Sequence, residues 1–277
     1  MRVDAHQHFW RYDPSEYSWI GEGMERLARD YLPVDLAPLL AAHGIDGSVA
    51  VQARQTLDET RWLLDLAAKH PAILGVVGWV DLQSDDVGEQ LREFAGNPRF
   101  VGVRHVVQDE PDVRFLLGEA FVRGLRQLHG FGLTYDLLLF PQQLPAAVEL
   151  VGMMPEQPFV LDHLAKPSIK AGSLDPWQAD IRGLAGHHNV SCKLSGLVTE
   201  AAWQGWERAD FTPYLEVALE AFGPKRLMIG SDWPVCLLAA EYPDVVGIVT
   251  DFIGRLSESE QELILGGTAS RFYRLSR

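Results

Sequence analysis

The chain has 277 residues, of which 47% are hydrophobic and 22% are charged, a composition typical of a globular protein with an ample core. Its formal net charge of −14 argues against nucleic acid and anionic membrane surfaces as partners. Two cysteines make no disulfide framework, no apolar run reaches a membrane span of about 18 residues, and no signal peptide is recognisable, so we expect a cytoplasmic protein that acts on a small molecule.

Short apolar runs alternate with amphipathic stretches along the whole chain. The predicted strands cover residues 3–8, 45–52, 73–80, 100–103, 133–140, 159–162, 190–194 and 226–231. The predicted helices cover 34–43, 57–69, 87–94, 113–129, 142–153, 177–185, 200–222 with a break near 210–213, 245–256, and 258–273. Thr56 and Glu59 are spaced as a capping box for the second helix.

Eight strand-then-helix units at roughly 30-residue spacing are typical of the α/β class, and specifically of a (β/α)8 TIM barrel. No glycine-rich phosphate-binding turn follows the first strand, which argues against a doubly wound dinucleotide-binding fold. No linker or low-complexity tract divides the chain. We therefore predict a single domain over residues 1–277.

Two histidines separated by one residue end the first predicted strand. Side chains two apart along a strand point to the same side, so His6 and His8 can present two imidazoles to one point. Such a pair suits a metal site or a polarising pair, although a solvent-facing pair is the plainer interpretation of so short a motif. The eighth predicted strand leads into Asp232, which a barrel would bring to the same end.

Ionisable and aromatic side chains end the other predicted strands as well, where a barrel has its active site. The candidates are Gln52, Arg54, Trp79, Asp81, Arg104, His105, Tyr135, Asp136, Asp162, His163, Lys166, Lys193, Ser195, Asp232 and Trp233. A buried charge costs several kcal/mol unless it is paired, so a structural face would not collect so many. The collection indicates an enzyme. If Lys193 faces the barrel interior, it needs a partner such as Asp162.

Five segments carry a resemblance to a known family. They read DAHQHFW at 4–10, GVRH at 102–105, LDHLAKP at 161–167, KLSGL at 193–197 and GSDWP at 230–234. With these segments in this order, the chain resembles the amidohydrolase superfamily, in the branch that contains sugar-acid lactonases and pyrone-dicarboxylate lactonases. The resemblance implies a carboxylic ester hydrolase of carbohydrate catabolism that opens a sugar-acid lactone, an aldonolactone of the L-fuconolactone type.

The same resemblance implies metal ligands. His6, His8 and Asp232 correspond to ligands of one divalent metal, zinc, and His163 is a further candidate. The chain lacks the superfamily's bridging lysine or glutamate at the fourth strand and its metal histidine at the fifth. These departures argue against two metals, and a metal-independent site stays open as the alternative.

Lactone opening needs a polarised carbonyl, an activated water and a proton for the leaving alkoxide. We expect Asp232 to act as the general base and later return the proton to the ring oxygen, and His163, with His6 and His8, to polarise the carbonyl or hold a zinc that does. The expected substrate-binding residues are Arg54, Arg104 and His105 for polar groups, and Trp10, Trp79 and Trp233 for the sugar ring. Ordinary core packing is the alternative for these tryptophans.

Three other functions stay open. Two arginines at strand ends could hold two carboxylates by bidentate bonds, as a pyrone-dicarboxylate lactonase would require. A decarboxylase of the superfamily would need a firmer metal set than the sequence offers, and a non-catalytic barrel that binds a small ligand would leave the acid–base groups unused. The sequence also leaves open self-association into a homo-oligomer.

Overall fold

The computed structural model describes residues 1–276, and eight parallel strands form its centre. They pair in chain order. Their bounds are β1 Val3–Gln7, β2 Gly47–Val51, β3 Ile73–Gly78, β4 Phe100–His105, β5 Thr134–Leu137, β6 Phe159–Leu161, β7 Val190–Leu194 and β8 Leu227–Ile229. The segments that follow β1 and β8 also pair, because Asp232 N–H donates to His6 O (2.8 Å) and His8 N–H to Trp233 O (2.7 Å). The sheet therefore closes, and the predicted (β/α)8 barrel is confirmed.

Helices connect successive strands and cover the outside of the barrel. They are α1 Pro33–Ala42, α2 Leu57–Lys69, α3 Val87–Ala95, α4 Glu119–Gly130, α5 Leu144–Gly152, α6 Trp177–Ala185, α7 Leu197–Glu200, α8 Arg208–Phe222, α9 Tyr242–Ile253, α10 Glu258–Glu262 and α11 Thr268–Phe272. None of these described helices is long and apolar enough to cross a membrane. They carry apolar faces toward the strands, which makes the main hydrophobic core the layer between helices and sheet.

The start of α2 shows how local sequence chemistry shapes the site's surroundings. The Thr56 side chain accepts the N–H of Glu59 (3.1 Å), which supplies the predicted helix cap. The Glu59 carboxylate does not reach back to Thr56 as a capping box would require; it accepts the N–H groups of Ala53 (2.9 Å) and Arg54 (2.6 Å). The cap residue therefore also fixes the loop that follows β2.

A second buried cluster of apolar side chains lies inside the barrel, and we call it the lower layer. Its members are Val3, Ala5, Val49, Val51, Leu74, Val77, Val101, Val160, Met228, Ala269 and Tyr273. Two of its members, Ala269 and Tyr273, come from the C-terminal segment and not from the strands. The end of the chain thus packs against strand side chains that face away from the outer helices.

Three predicted helices differ from the structure. The fourth begins at Glu119 and not at 113, because a 3-10 turn at Phe115–Leu117 and an extended Gly118 precede it. The helix predicted over 200–222 begins only at Arg208, because α7 ends at Glu200. The break predicted near Asp210 is wrong: Asp210 accepts the N–H of Glu207 (2.9 Å) and so caps α8. The last predicted helix contains a π-helical segment, Leu263–Gly267, where Gly266 lies against the backbone of the first residues.

Candidate active site

His6 and His8 lie at the end of β1 and face the same point. The strand register shifts between Asp4 and Gln7, and the Nε2 atoms of the two histidines lie 3.2 Å apart. His8 Nδ1 is 2.7 Å from the carbonyl oxygen of Val51, an acceptor, so the His8 proton belongs on Nδ1. The His8 Nε2 lone pair is therefore free for a cation or a proton.

Asp232 follows β8 in the left-handed region of backbone space, with φ of 56°. Non-glycine residues held in this region cluster at functional sites, where the surrounding structure imposes the strain. Its Oδ1 lies 3.4 Å from His8 Nε2 and 3.8 Å from the Nε2 atoms of both His6 and His163. One carboxylate oxygen thus faces three imidazoles.

His163 opens a run of four left-handed residues after β6, His163, Leu164, Ala165 and Lys166, with φ between 51° and 56°. Such a conformation costs roughly 1–2 kcal/mol for each residue, so the surroundings must hold it. Trp177 Nε1–H donates to Leu164 O (2.6 Å), and Ser195 Oγ lies 2.9 Å from His163 Nδ1. These contacts fix the imidazole with Nε2 toward Asp232.

The residues fit a single metal ion. A tetrahedral zinc site with bonds of about 2.0–2.1 Å has ligand atoms about 3.3–3.4 Å apart. The distances among His6, His8 and Asp232 are 3.2, 3.4 and 3.8 Å, and all three side chains are buried. Among the described residues, the ion-pair partners of Asp232 are all histidines. A buried carboxylate without an arginine or lysine favours a cation at this point.

The ionisation states suit such a cation. Burial lowers the pKa of His163 to about 4, against the opposing effect of Asp232, and burial also lowers the pKa of His6 well below its usual range. Burial would raise the pKa of Asp232, but His163, the hydrogen bond with His8, and His6 outweigh it and hold that pKa below its usual range. Neutral imidazoles and an ionised carboxylate are the forms that bind a metal.

A buried charge network lies beneath the three histidines. Lys193 Nζ is 2.5 Å from Asp136 Oδ2 and 2.9 Å from Asp162 Oδ1, so the expected Lys193–Asp162 pair is confirmed. Arg104 Nη1 is 3.1 Å from Asp162 Oδ2, and Tyr273 O–H donates to Asp136 Oδ2 (2.8 Å). Two cations and two carboxylates balance. Burial raises the pKa of Asp162, but Lys193, His6 and Arg104 outweigh that effect and hold it well below its usual range.

The three residues predicted to bind polar groups of the substrate, Arg54, Arg104 and His105, differ in their surroundings. Arg104 lies beside the site, 3.4 Å from His6 Nε2, yet its side chain is occupied by Asp162 and by the Gln52 carbonyl oxygen (2.5 Å). His105 is the next residue of the strand and points the other way. Its Nε2 is 2.7 Å from Glu110, and its ring stacks on a phenylalanine of the outer layer. The structure therefore places His105 outside the site, as strand alternation requires.

Arg54 is half-buried in the loop after β2. Its guanidinium pairs with Glu16, lies over the Tyr17 ring at 5.2 Å and faces Glu59. The side chain thus ties the loop after β1 to the loop after β2. Its role toward a substrate stays a prediction.

The predicted aromatic residues are mostly core. Trp10 and Trp233 are 0% and 2% exposed, and both meet the Tyr31 ring edge-on. Neither has a face left for a sugar ring, which favours the core interpretation. Trp79 is half-buried, and its Nε1–H has no hydrogen-bond partner among the described residues. The Nε1–H of Trp10, by contrast, donates to the carbonyl oxygens of Leu27 and Arg29.

Sequence reasoning missed Tyr273. It lies after α11, far from any strand end, and reaches Asp136 from the C-terminal segment. No strand-end pattern could have found it, since the contact joins residues 137 positions apart.

A barrel with two histidines at the end of its first strand, a histidine after its sixth and an aspartate after its eighth, all converging on one point, has the site architecture of a hydrolase that could hold a metal. The protein-family model described as Amidohydrolase matches residues 3–275, and the chain belongs to that family.

Relatives of known name align over nearly the whole chain. It is 46% identical to an L-fucono-1,5-lactonase of Burkholderia multivorans (strain ATCC 17616 / 249), across 99% of this chain and 96% of that protein. It is 36% identical to an L-fucono-1,5-lactonase of Burkholderia ambifaria (strain ATCC BAA-244), across 100% and 97%. A crystal structure of a Burkholderia multivorans amidohydrolase with bound zinc superposes with a TM-score of 0.96 at 46% identity, and both chains are covered completely.

Proposed function

We propose that this protein hydrolyses a sugar-acid lactone of the L-fucono-1,5-lactone type to the open hydroxy acid. The observation that carries the proposal is the 46% identity to such a lactonase over the whole chain, in a barrel whose strand ends hold three histidines and an aspartate. A neutral sugar lactone also suits a site in which the cations beneath it are already paired with carboxylates.

Asp232 is the proposed general base. Its contacts with the three histidines are all made by Oδ1, which leaves Oδ2 to accept a proton from water. The water oxygen attacks the lactone carbonyl carbon and its proton moves to Asp232. When the tetrahedral intermediate collapses, the bond to the ring oxygen breaks and Asp232 returns the proton to that oxygen. The products are a carboxyl group and a free hydroxyl.

His163 is the proposed polarising group. If Ser195 Oγ–H donates to His163 Nδ1, the single proton of the neutral imidazole lies on Nε2. That N–H is then available to the carbonyl oxygen, where negative charge develops. This role leaves His6, His8 and Asp232 as three protein ligands with one open position, which is the arrangement of catalytic zinc sites.

We propose zinc as the cation of this site. A zinc-bound solved relative and a set of imidazole and carboxylate donors support it. When bound there, zinc would lower the pKa of a water ligand toward about 7 and polarise the carbonyl.

Two alternatives are less well supported. A pyrone-dicarboxylate substrate needs two free cationic side chains, whereas Arg104 is held by Asp162 and Arg54 by Glu16. A barrel that only binds its ligand would not need Asp232 held in a strained conformation against three histidines. The cytoplasmic location and a homo-oligomeric state stay predictions from the sequence.

The test is hydrolysis of a panel of aldonolactones, followed with a pH indicator, on protein as purified, after chelation, and after zinc is restored, with metal analysis of each sample. We expect turnover on a 1,5-aldonolactone, loss on chelation and recovery with zinc. Turnover that survives complete metal removal would refute the zinc role and keep the acid–base residues. No turnover on any aldonolactone would refute the proposed function.

A further inference from the structure

Both ring nitrogens of His6 lie close to a hydrogen-bond donor and to a hydrogen-bond acceptor. On one side, Nδ1 lies 3.1 Å from Lys193 Nζ, which can only donate, and 3.4 Å from Asp162 Oδ1, which as a carboxylate can only accept. On the other side, Nε2 lies 3.4 Å from Arg104 Nη1, a donor, and 3.2 Å from His8 Nε2, an acceptor because the His8 proton is on Nδ1. Within 3.4 Å, each nitrogen therefore faces one donor and one acceptor, and Asp232 Oδ1 lies farther from Nε2, at 3.8 Å.

A neutral imidazole has one proton to place, and its position decides whether His6 can bind a cation. If Nδ1 accepts from Lys193, the proton lies on Nε2, and that atom has no lone pair for a metal. If Nδ1–H donates to Asp162, the lone pair on Nε2 is free, in the carboxylate–histidine–metal arrangement that orients ligands. His8 has no such choice, because the Val51 carbonyl oxygen fixes its tautomer.

The strength of the Lys193 contact depends on a residue outside the site. Lys193 is fully buried; its ammonium is hydrogen-bonded to His6 and Asp136 and lies 2.9 Å from Asp162 Oδ1, an atom with no hydrogen-bond partner among the described residues. The same Asp136 oxygen that lies 2.5 Å from Lys193 Nζ also accepts the hydroxyl of Tyr273 at 2.8 Å. Asp136 Oδ1 has no hydrogen-bond partner among the described residues. Tyr273 therefore donates one of the hydrogen bonds that Asp136 accepts, and without it Asp136 would interact more strongly with Lys193.

We infer that Asp162, Lys193 and the Asp136–Tyr273 pair are positioning residues that set the tautomer of His6 and, through it, the affinity of the site for zinc. Asp162 favours the tautomer that binds, Lys193 opposes it, and Tyr273 determines how freely Lys193 can do so. None of the four touches the reacting atoms. The inference deepens the proposed function, since it rests on a cation held by His6, His8 and Asp232.

Two substitutions should act in opposite directions on the zinc dissociation constant, measured by competition with a chromophoric chelator. Asp162→Asn should weaken zinc binding by about 10–100-fold, because the carboxylate partner of Nδ1–H is lost. Tyr273→Phe should tighten it by about 2–10-fold. Without the hydroxyl, Asp136 draws Lys193 more strongly, and Lys193 donates less to Nδ1. A purely structural role would not produce tighter binding.

Tyr242→Phe is the matched control. Tyr242 O–H also donates to a buried carboxylate, Asp4 Oδ2 at 3.1 Å; Asp4 accepts the backbone N–H of His6 (3.3 Å), but neither residue is hydrogen-bonded to Lys193 or to the ring nitrogens of His6. Tyr242→Phe should lose the same amount of folding stability as Tyr273→Phe, and its zinc affinity should stay within about twofold of that of the unmodified protein. Long-range ¹H–¹⁵N spectra of the zinc-free proteins report the tautomer directly, and Tyr273→Phe should increase the Nδ1–H form of His6.

Zinc affinity of Tyr273→Phe that is equal to or weaker than that of the Tyr242→Phe control would overturn the inference, as would an unchanged His6 tautomer. Absence of stoichiometric zinc binding by the unmodified protein would overturn the inference and the zinc proposal together. Neither result bears on whether the protein opens lactones, which the indicator assay decides separately.

Discussion

Gly196 is the residue whose substitution most directly tests whether His163 must stay in place. It follows β7, has φ of 63°, and an added Cβ would lie 2.6 Å from two atoms of the His163 ring. Ordinary contacts between carbon atoms are about 3.5–4.0 Å, so in Gly196→Ala the ring must retreat by roughly 1 Å. A misplacement of about 1 Å at a reacting group can lower the rate about 10²-fold. We expect that loss in kcat.

Gly172→Ala separates displacement from backbone strain. Gly172 lies in the same left-handed region as Gly196, with φ of 64° and ψ of 23° against 63° and 16°, yet nothing lies within 4 Å of an added Cβ. In both variants the left-handed conformation costs about 1–2 kcal/mol, offset by about 0.4–1 kcal/mol from the restricted unfolded chain. Both should therefore lose about 1 kcal/mol in urea unfolding from strain, and only Gly196→Ala should lose turnover.

The assay is kcat for lactone hydrolysis by both variants at saturating substrate, with zinc content measured on the same samples. If Gly196→Ala turns over within about threefold of Gly172→Ala, the position of His163 is not critical and its polarising role is refuted. Equal zinc content in the two variants would assign the loss of rate to His163 as a proton donor and not to metal loss.

Three further predictions follow from the site and its surroundings. Asp232→Asn should lower kcat by at least about 10²-fold in the indicator assay. A variant that turns over as fast as the unmodified protein would exclude Asp232 as the base. His105→Gln should leave KM within about twofold but lower the unfolding temperature, since the ring packs on Phe115 away from the site. Burial raises the pKa of Glu59 to about 7 from an ordinary 4.5, so the folded state keeps a proton that the unfolded chain loses. The free energy of unfolding should then fall by up to about 3 kcal/mol from pH 4.5 to 7, as measured by urea unfolding. If Glu59→Gln shows the same dependence of this free energy on pH, the prediction is refuted.

The sequence predicts the barrel well because strands and helices alternate with a regular spacing, and the order of strands around a barrel follows from that alternation alone. The sequence also predicts that His6, His8 and Asp232 lie at one end of the barrel. Side chains two apart on a strand point to the same side, and the carboxyl ends of all strands meet at one end.

The direction of side chains at β4 could not be predicted in the same way. Arg104 and His105 are neighbours at a strand end, so only one of them can face the interior, and composition does not say which. The answer depends on the register with β5, where Arg104 pairs with Asp136. Likewise Tyr273 meets Asp136 only because the C-terminal segment packs against the lower layer, a contact that no local pattern encodes.

The distribution of buried charge explains why the site has this composition. Arg104 and Lys193 are each within ion-pair distance of Asp162, and Lys193 also of Asp136, so the layer beneath the histidines is neutral. Both cations are engaged there, and Asp232 above them faces His163 and His6, whose pKa values are lowered by burial. A buried carboxylate in that position gains more from a divalent cation than from water, because the surrounding low dielectric strengthens the attraction. The paired layer therefore keeps arginine and lysine away from Asp232, which leaves its charge for the cation and the proton transfer that we propose.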